Sequence, residues 1–413
     1  MRTLLTSILI LAIVFVSCDK AEPGLEEIPN MPEKSAKIID SDNAFGLELF
    51  SQVAANTEKN KNTTVSPLSV SLALAMTYNG ARGETKTEME KAMKLSGLTT
   101  EQINNSHKAL VAALKSYDPA VVLEIADAIF FGKGLTIEPD FVTTNMEFYD
   151  AKVEALQLNS PIEALKTIND WVAQKTHNKI PTILNQIDPN FAMILLNAFY
   201  FNGIWTHKFG NRDTHPGIFY MSDGTKKSNV ALMKMETSLE YISNDLFSAV
   251  NLPYGNGQFQ MTVILPNENK TTKDVILELN TSNWRKWMKS FTIEKSVSVT
   301  MPRFKFSWEL ELNEVLKTLG MQNAFTPLAN FSGINNEGRL YIDKVIHKTY
   351  VDVNESGTEA AAVTAVVISF TSAGEVDQKK YLYVDRPFLF AITEKTTGTI
   401  LLIGEVTNPQ YEL

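Results

Sequence analysis

Five histidines, one cysteine and a short glycine run are the residues of this chain best suited to chemistry, and their spacing argues against catalysis. His107, His177, His207, His215 and His347 are scattered, with no spacing that would hold a metal. Gly255-Asn256-Gly257 lacks the third glycine of a dinucleotide-binding turn. No GxSxG elbow, HExxH helix, P-loop or EF-hand loop occurs. Cys18 is the only cysteine, so no intrachain disulfide can form. The pattern predicts a protein that is not an enzyme and takes no metal or cofactor. The more unusual stretch is one without reactive groups. Ala360 to Gly374 carries no charge and no proline, and Val363 to Phe370 has high β propensity. Such a segment invites aggregation when exposed. The chain must either bury it or use it.

The flanking residues indicate how it is positioned. Lys344 to Val353 alternates, with Val345, His347, Thr349, Val351 and Val353 on one face and Ile346, Lys348, Tyr350 and Asp352 on the other. Period two with β-branched residues predicts a strand. Asn354-Glu355-Ser356-Gly357 reads as a bend. Beyond it, Thr358, Ala360, Ala362, Thr364, Val366 and Ile368 share a face that begins small and grows bulkier. That profile suits entry into a narrow gap from the Thr358 end. An ordinary core strand would explain the alternation equally well.

The run Glu355-Ser356-Gly357-Thr358-Glu359-Ala360-Ala361-Ala362 resembles the hinge of an inhibitory serpin. DRPFLFAITEKTTGTILLIGEVTNP (Asp385 to Pro409) resembles the serpin C-terminal signature. NTTVSPLSVSLALAMTYNGARGETKTEM (Asn62 to Met89), INDWVAQKTHNKI (Ile168 to Ile180) and LLNAFYFNGIWTHKF (Leu195 to Phe209) are similar to serpin segments, in serpin order. The resemblance covers roughly Ala36 to the end.

It implies an α+β fold, about eight to nine helices around three β-sheets, with an exposed reactive centre loop at about 355–384. It also implies a single domain over 37–413, although the length of 413 residues alone favours two or three. The implied function is suicide-substrate inhibition. A serine or cysteine endopeptidase attacks the loop and is trapped as an acyl complex when the hinge inserts into the central sheet. Counting from Glu355 places the reactive bond at Thr371–Ser372, which suits elastase-like enzymes. Phe370–Thr371 is the alternative and suits chymotrypsin-like or subtilisin-like ones. Ser66, Asn197 and His347 are implied to form the shutter, a latch beneath the sheet. Without the resemblance, each reads as a locally satisfied polar group. Trp205, Arg303 and Glu355 are implied at the breach, where the loop enters, with Arg303 pairing with Glu355. A non-inhibitory serpin acting as a binding or structural protein is the rival reading, and Ala360, Ala361 and Ala362 argue against it.

A net charge of −9 opposes a nucleic-acid partner. Lys108 and Lys115 alone on the stretch Thr100 to Ser116 make a poor polyanion site. The expected partner is the endopeptidase, and the protein is expected to be a monomer. At the N-terminus, Arg2 precedes an apolar run from Leu4 to Val16, shorter than the ~20 residues of a spanning helix. Ser17-Cys18 follows. This resembles a bacterial lipoprotein signal, implying removal of residues 1–17, lipidation of Cys18 and a cell-envelope location. A plain secretory peptide is the alternative. Residues 18–36, rich in proline and acidic groups, read as a flexible tether.

Elsewhere, helices are predicted over Asn43 to Val53, after Ser66-Pro67, after a Thr85-Lys86-Thr87-Glu88 capping box, over Thr100 to Lys115, after Ser160-Pro161-Ile162-Glu163 and over Glu309 to Gly320. The near absence of charge between Ser66 and Ala81 predicts a deeply buried helix. Strands are predicted over Val121 to Phe131, Phe191 to Phe201, Phe259 to Leu265 and Val297 to Phe306. A hairpin is predicted from Phe388 to Val406 around Thr396-Thr397-Gly398.

Overall fold

In the computed structural model, residues 28–358 and 379–411 are described, except positions 29, 133, 157–159, 189, 338 and 339. The chain opens with α1 (Ser35–Ala55), β1 (Thr63–Val65), α2 (Pro67–Tyr78), α3 (Gly83–Ala92) and α4 (Thr100–Ser116). Then come β2 (Val121–Phe131), α5 (Pro139–Tyr149), β3 (Lys152–Ala155), α6 (Pro161–Lys175) and β4 (Met193–Ile204). The middle of the chain forms β5 (His215–Tyr220), β6 (Lys226–Ser243), β7 (Phe247–Tyr254), β8 (Phe259–Pro266), α7 (Thr272–Leu277), α8 (Thr281–Lys289) and β9 (Thr292–Pro302). It closes with β10 (Phe304–Glu311), α9 (Asn313–Thr318), β11 (Lys344–Asn354), β12 (Gly357–Thr358), β13 (Lys380–Tyr383), β14 (Phe388–Glu394) and β15 (Ile400–Val406). Nine α-helices and extensive sheet among the described residues make this an α+β protein, as expected.

The uncharged helix α2 is the hub. All of its residues are buried, and it packs against α1, β4 and β15, so it is sandwiched between the two sheets. Pro67 at its first position and the Ser66 hydroxyl, accepting from the Ser69 N–H, set its start. The approach of α1 is close enough to require Gly46, since a Cβ there would lie 2.1 Å from that of Pro67.

The first sheet has the order β10-β11-β12-β4-β2-β3. β11 runs parallel to β4 and pairs with it directly from Lys344↔Ile194 to Thr349↔Phe199. At the other end β12 stands between them, with Thr358 opposite both Val353 and Gly203. The sheet therefore has one more strand at that end. The second array orders β1-β15-β14-β8-β7-β6-β9-β13, with β5 on β6. By pairing, the third expected layer (β5, β6, β9, β13) is joined to the second through the 18-residue strand β6, which shifts register between Thr237 and Leu239.

Several expectations are revised. Glu309 to Glu311 are strand, because β10 pairs along β11 as far as Glu311↔Ile346; only Asn313 to Thr318 are helical. Thr85 does not cap α3. The helix starts at Gly83, and the Thr85 hydroxyl instead accepts from the distant Asn330 N–H at 2.9 Å. α1 begins at Ser35, and Ile28 and Met31 pack against the hydrophobic core that includes Phe219, Leu232 and Phe388. Cys18 lies outside the described residues.

Candidate functional site

The bend after β11 forms at Glu355 and Ser356, as the sequence indicates, and its backbone is held by β4 and the turn beyond it. The N–H of Trp205 donates to the Ser356 carbonyl at 2.9 Å, and that of Phe209 to the Glu355 carbonyl at 3.1 Å. The Trp205 indole N–H donates to the Asn354 carbonyl at 2.9 Å. Arg303, between β9 and β10, donates its Nε–H to Glu355 Oε1 at 2.7 Å and adds a second bond from its terminal nitrogen. The Thr214 hydroxyl also reaches this carboxylate. Trp205, Arg303 and Glu355 are thus assembled at one end of the first sheet, where they were expected. The Tyr411 ring covers the guanidinium of Arg303 at 5.5 Å.

From this clamp the chain turns into the sheet. Thr358 is buried, and its hydroxyl meets the Tyr254 hydroxyl at 2.6 Å. Tyr254 is stacked on Trp205 with ring centroids 4.3 Å apart. Burial raises the Tyr254 pKa well above its ordinary value, so it stays a neutral donor. Gly357 passes so close to β4 that a Cβ would lie 2.1 Å from the Gly203 carbonyl oxygen, and its φ of +156° also disfavours a side chain. Gly357→Ala is expected to destabilise the native state by about 1–3 kcal/mol. A lowered denaturation midpoint would report it; an unchanged one would show that β12 is not held against β4.

Lower in the same sheet, three polar residues form one row across β11, β4 and β2, since Asn197 faces both His347 and Asp127 in register. His347 Nε2 accepts the Ser66 N–H at 3.0 Å, so Nδ1 carries the proton and donates to Asn197 Oδ1 at 2.5 Å. Burial pushes the His347 pKa down to about 3, keeping the ring neutral. The Asn197 amide donates to the Ser69 carbonyl at 3.0 Å, to the Ser69 hydroxyl and to Asp127 Oδ1 at 2.6 Å. Within the apolar run Phe191 to Phe201 the buried Asn197 amide is therefore fully satisfied, as it must be. Ser66, Asn197 and His347 do come together. The serine touching Asn197 is Ser69, however, and Ser66 joins through its backbone N–H to His347.

Ser69 and Asp127 were missed. Asp127 had left a signal, being the single charge in the apolar run Ile125 to Phe131. Burial drives its carboxyl up to about 7, with the bond from Asn197 opposing.

Among the described residues no cluster of three or more His, Cys, Asp or Glu could hold a metal, and no helix is long and apolar enough to cross a membrane. Glu359, Ala360, Ala361, Ala362, Phe370, Thr371 and Ser372 lie outside the described residues. What the geometry offers is mechanical: two parallel strands separated at one end by a two-residue wedge and held together at the other by a hydrogen-bonded row.

A family model described as serpin (serine protease inhibitor) matches residues 40–409. An uncharacterized serpin-like protein of Thermococcus kodakarensis is 34% identical over 376 residues, spanning 90% of this chain and 86% of its own. The leukocyte elastase inhibitor of Bos taurus is 33% identical over 376 residues, spanning 88% and 97%. The crystal structure of the thermophilic serpin tengpin in its native state matches with a TM-score of 0.82 at 33% identity, covering 94% of this chain and 98% of that one. Human thyroxine-binding globulin complexed with its hormone matches with a TM-score of 0.84 at 25% identity, covering 92% and 100%.

Proposed function

The chain belongs to the serpin family, and from that premise we propose that it is an inhibitory member that traps serine, or alternatively cysteine, endopeptidases. The observation that carries the reading is the wedge: Gly357 and Thr358 already pair with both β11 and β4, and beyond Glu359 the chain continues with the small, uncharged Ala360, Ala361 and Ala362. In this reading the protease hydroxyl attacks the carbonyl carbon of Thr371. The Thr371–Ser372 bond breaks, an ester joins Thr371 to the protease, and the Ser372 amine leaves with a proton. Phe370–Thr371 is the alternative bond. The freed strand then extends β12 down the gap. Roughly a dozen new backbone bonds at about 0.5–1.5 kcal/mol each contribute on the order of 10 kcal/mol, comparable to the stability of a domain. That is enough to drag the protease along and deform its active site before water releases it.

The leukocyte elastase inhibitor among the relatives and the small residue at Thr371 both favour an elastase-like target. A lipid on Cys18 would display the inhibitor on a bacterial envelope. The second reading, a non-inhibitory binding protein, is favoured by the structural match to thyroxine-binding globulin. A denaturing gel against elastase-like, subtilisin-like and chymotrypsin-like proteases separates the two. An SDS-resistant band of combined mass is expected with at least one enzyme. Clean cleavage without adduct across the panel would sink the inhibitory reading.

A further inference from the structure

The polar row in the first sheet contains a carboxyl group that no cation among the described residues pairs with. Asp127 is buried in the middle of β2, and its described partner is the Asn197 amide at 2.6 Å. Asn197 is in turn the residue that bonds His347 across the junction of β4 and β11. Any strand that lengthens β12 must part these two strands, and so must break the His347–Asn197 bond. Asp127 lies one strand further in, on β2, about 4.8 Å from β4.

We propose that Asp127 is a positioning residue for strand insertion, and that its proton sets how firmly the sheet is latched: protonated, it keeps the row closed; ionised, it favours opening. The reason is desolvation. A carboxylate in the closed row is taken out of water with no positive partner, and parting β4 from β11 lets water reach it. One effect runs the other way. A carboxylate would polarise the Asn197 amide and strengthen its bond to His347. At about 10–30% of one hydrogen bond, that gain is small beside the cost of a buried charge, so opening wins.

The groups facing Asp127 leave it as the group that titrates near neutrality within the row. His347 on β11 is neutral because Nε2 accepts a backbone N–H. Tyr149, the last residue of α5, is held neutral by burial, with Asp42 and Asp127 adding to the rise in its pKa. Behind it, His107 on α4 contacts Asp42 on α1 at 3.1 Å, both buried.

The sign follows from linkage. Burial holds the folded-state carboxyl pKa, at about 7, above its unfolded value. Its stabilising contribution is therefore present in acid and is lost as pH rises between the ordinary carboxylate range and about 7. The proposal rests on the inhibitory reading for its functional meaning, so two readouts are needed. The first uses no protease. Melting temperatures of the intact full chain are compared with those of Asp127→Asn from pH 5 to pH 8.5. The wild type should lose stability relative to the variant as pH rises. The second is the ratio of adduct to cleaved inhibitor with one protease at matched pH. Wild type should gain roughly tenfold over Asp127→Asn between pH 5.5 and 8.5, one pKa unit's worth of difference between closed and open sheet. Asp127→Ser serves if the asparagine variant folds poorly. A difference profile that is flat with pH overturns the proposal. If no adduct forms at any pH, the inhibitory reading fails, while the melting profiles still judge Asp127.

Discussion

Protein nicked once in the loop is expected to melt at least about 10 °C higher than intact protein. The two-residue strand β12 is the seed of this effect. A cut at Thr371–Ser372 frees residues 359–371 to continue along β11 and β4, which lie parallel with β12 already antiparallel between them. The inserted strand adds on the order of 10 kcal/mol of hydrogen bonding. With an unfolding entropy of about 2.1 cal/mol/K per residue, a chain this size shifts by roughly 1 °C per kcal/mol. Burial of Val363, Val366 and Ile368 adds to that figure. Differential scanning calorimetry before and after limited proteolysis measures the difference. Coincident melting curves would mean that the cut loop stays outside the sheet, and trapping would have no driving force.

Placing an arginine at Thr358 should abolish trapping while leaving the loop cleavable. The Thr358 side chain is buried against Tyr254, itself under the Trp205 ring. Arg303 is close by but already committed to Glu355. An arginine at 358 would therefore be a buried cation without a counterion, costing several kcal/mol. The hinge would leave the sheet, and insertion would have to overcome that cost at its first residue. Each 1.36 kcal/mol is a tenfold change in rate, so insertion should slow by at least about 100-fold and lose the race against deacylation. Thr358→Arg should thus convert inhibitor to substrate, with the adduct band replaced by cleaved chain. Thr358→Ser, which keeps the hydroxyl for Tyr254, should trap normally. A normal adduct from the arginine variant would show that the hinge does not enter at this position.

Both expectations concern features that were partly visible in the sequence. Strand β2 is found with the predicted bounds, because its β-branched and aromatic residues at both ends favour a strand despite Glu124 and Asp127. The hairpin of β14 and β15 and the buried helix α2 were legible for similar local reasons: turn residues in one case, absence of charge in the other. What failed depended on partners distant in sequence. Glu309 to Glu311 have helix-forming side chains, yet pairing with β11 makes them strand. Thr85 has the spacing of a cap, but Asn330, 245 residues away, takes its hydroxyl. At the latch, Ser66, Asn197 and His347 were found through resemblance, whereas Ser69 and Asp127 were not, because their part in it exists only once α2, β2 and β4 are superposed. The wedge itself was anticipated as an entry point. That its first two residues would already be seated between the strands is a fact of tertiary structure.

The position of β14 and β15 has a consequence for how the molecule is made. They lie inside the second array, between β1 and β8, and Thr63 to Val65 find their partners only at Ile403 to Glu405. During synthesis that array stays split until residue 406 has emerged from the ribosome, with β1 lacking its partner for most of translation. Contacts of such long sequence separation form slowly. The second array is therefore expected to be completed after synthesis rather than during it.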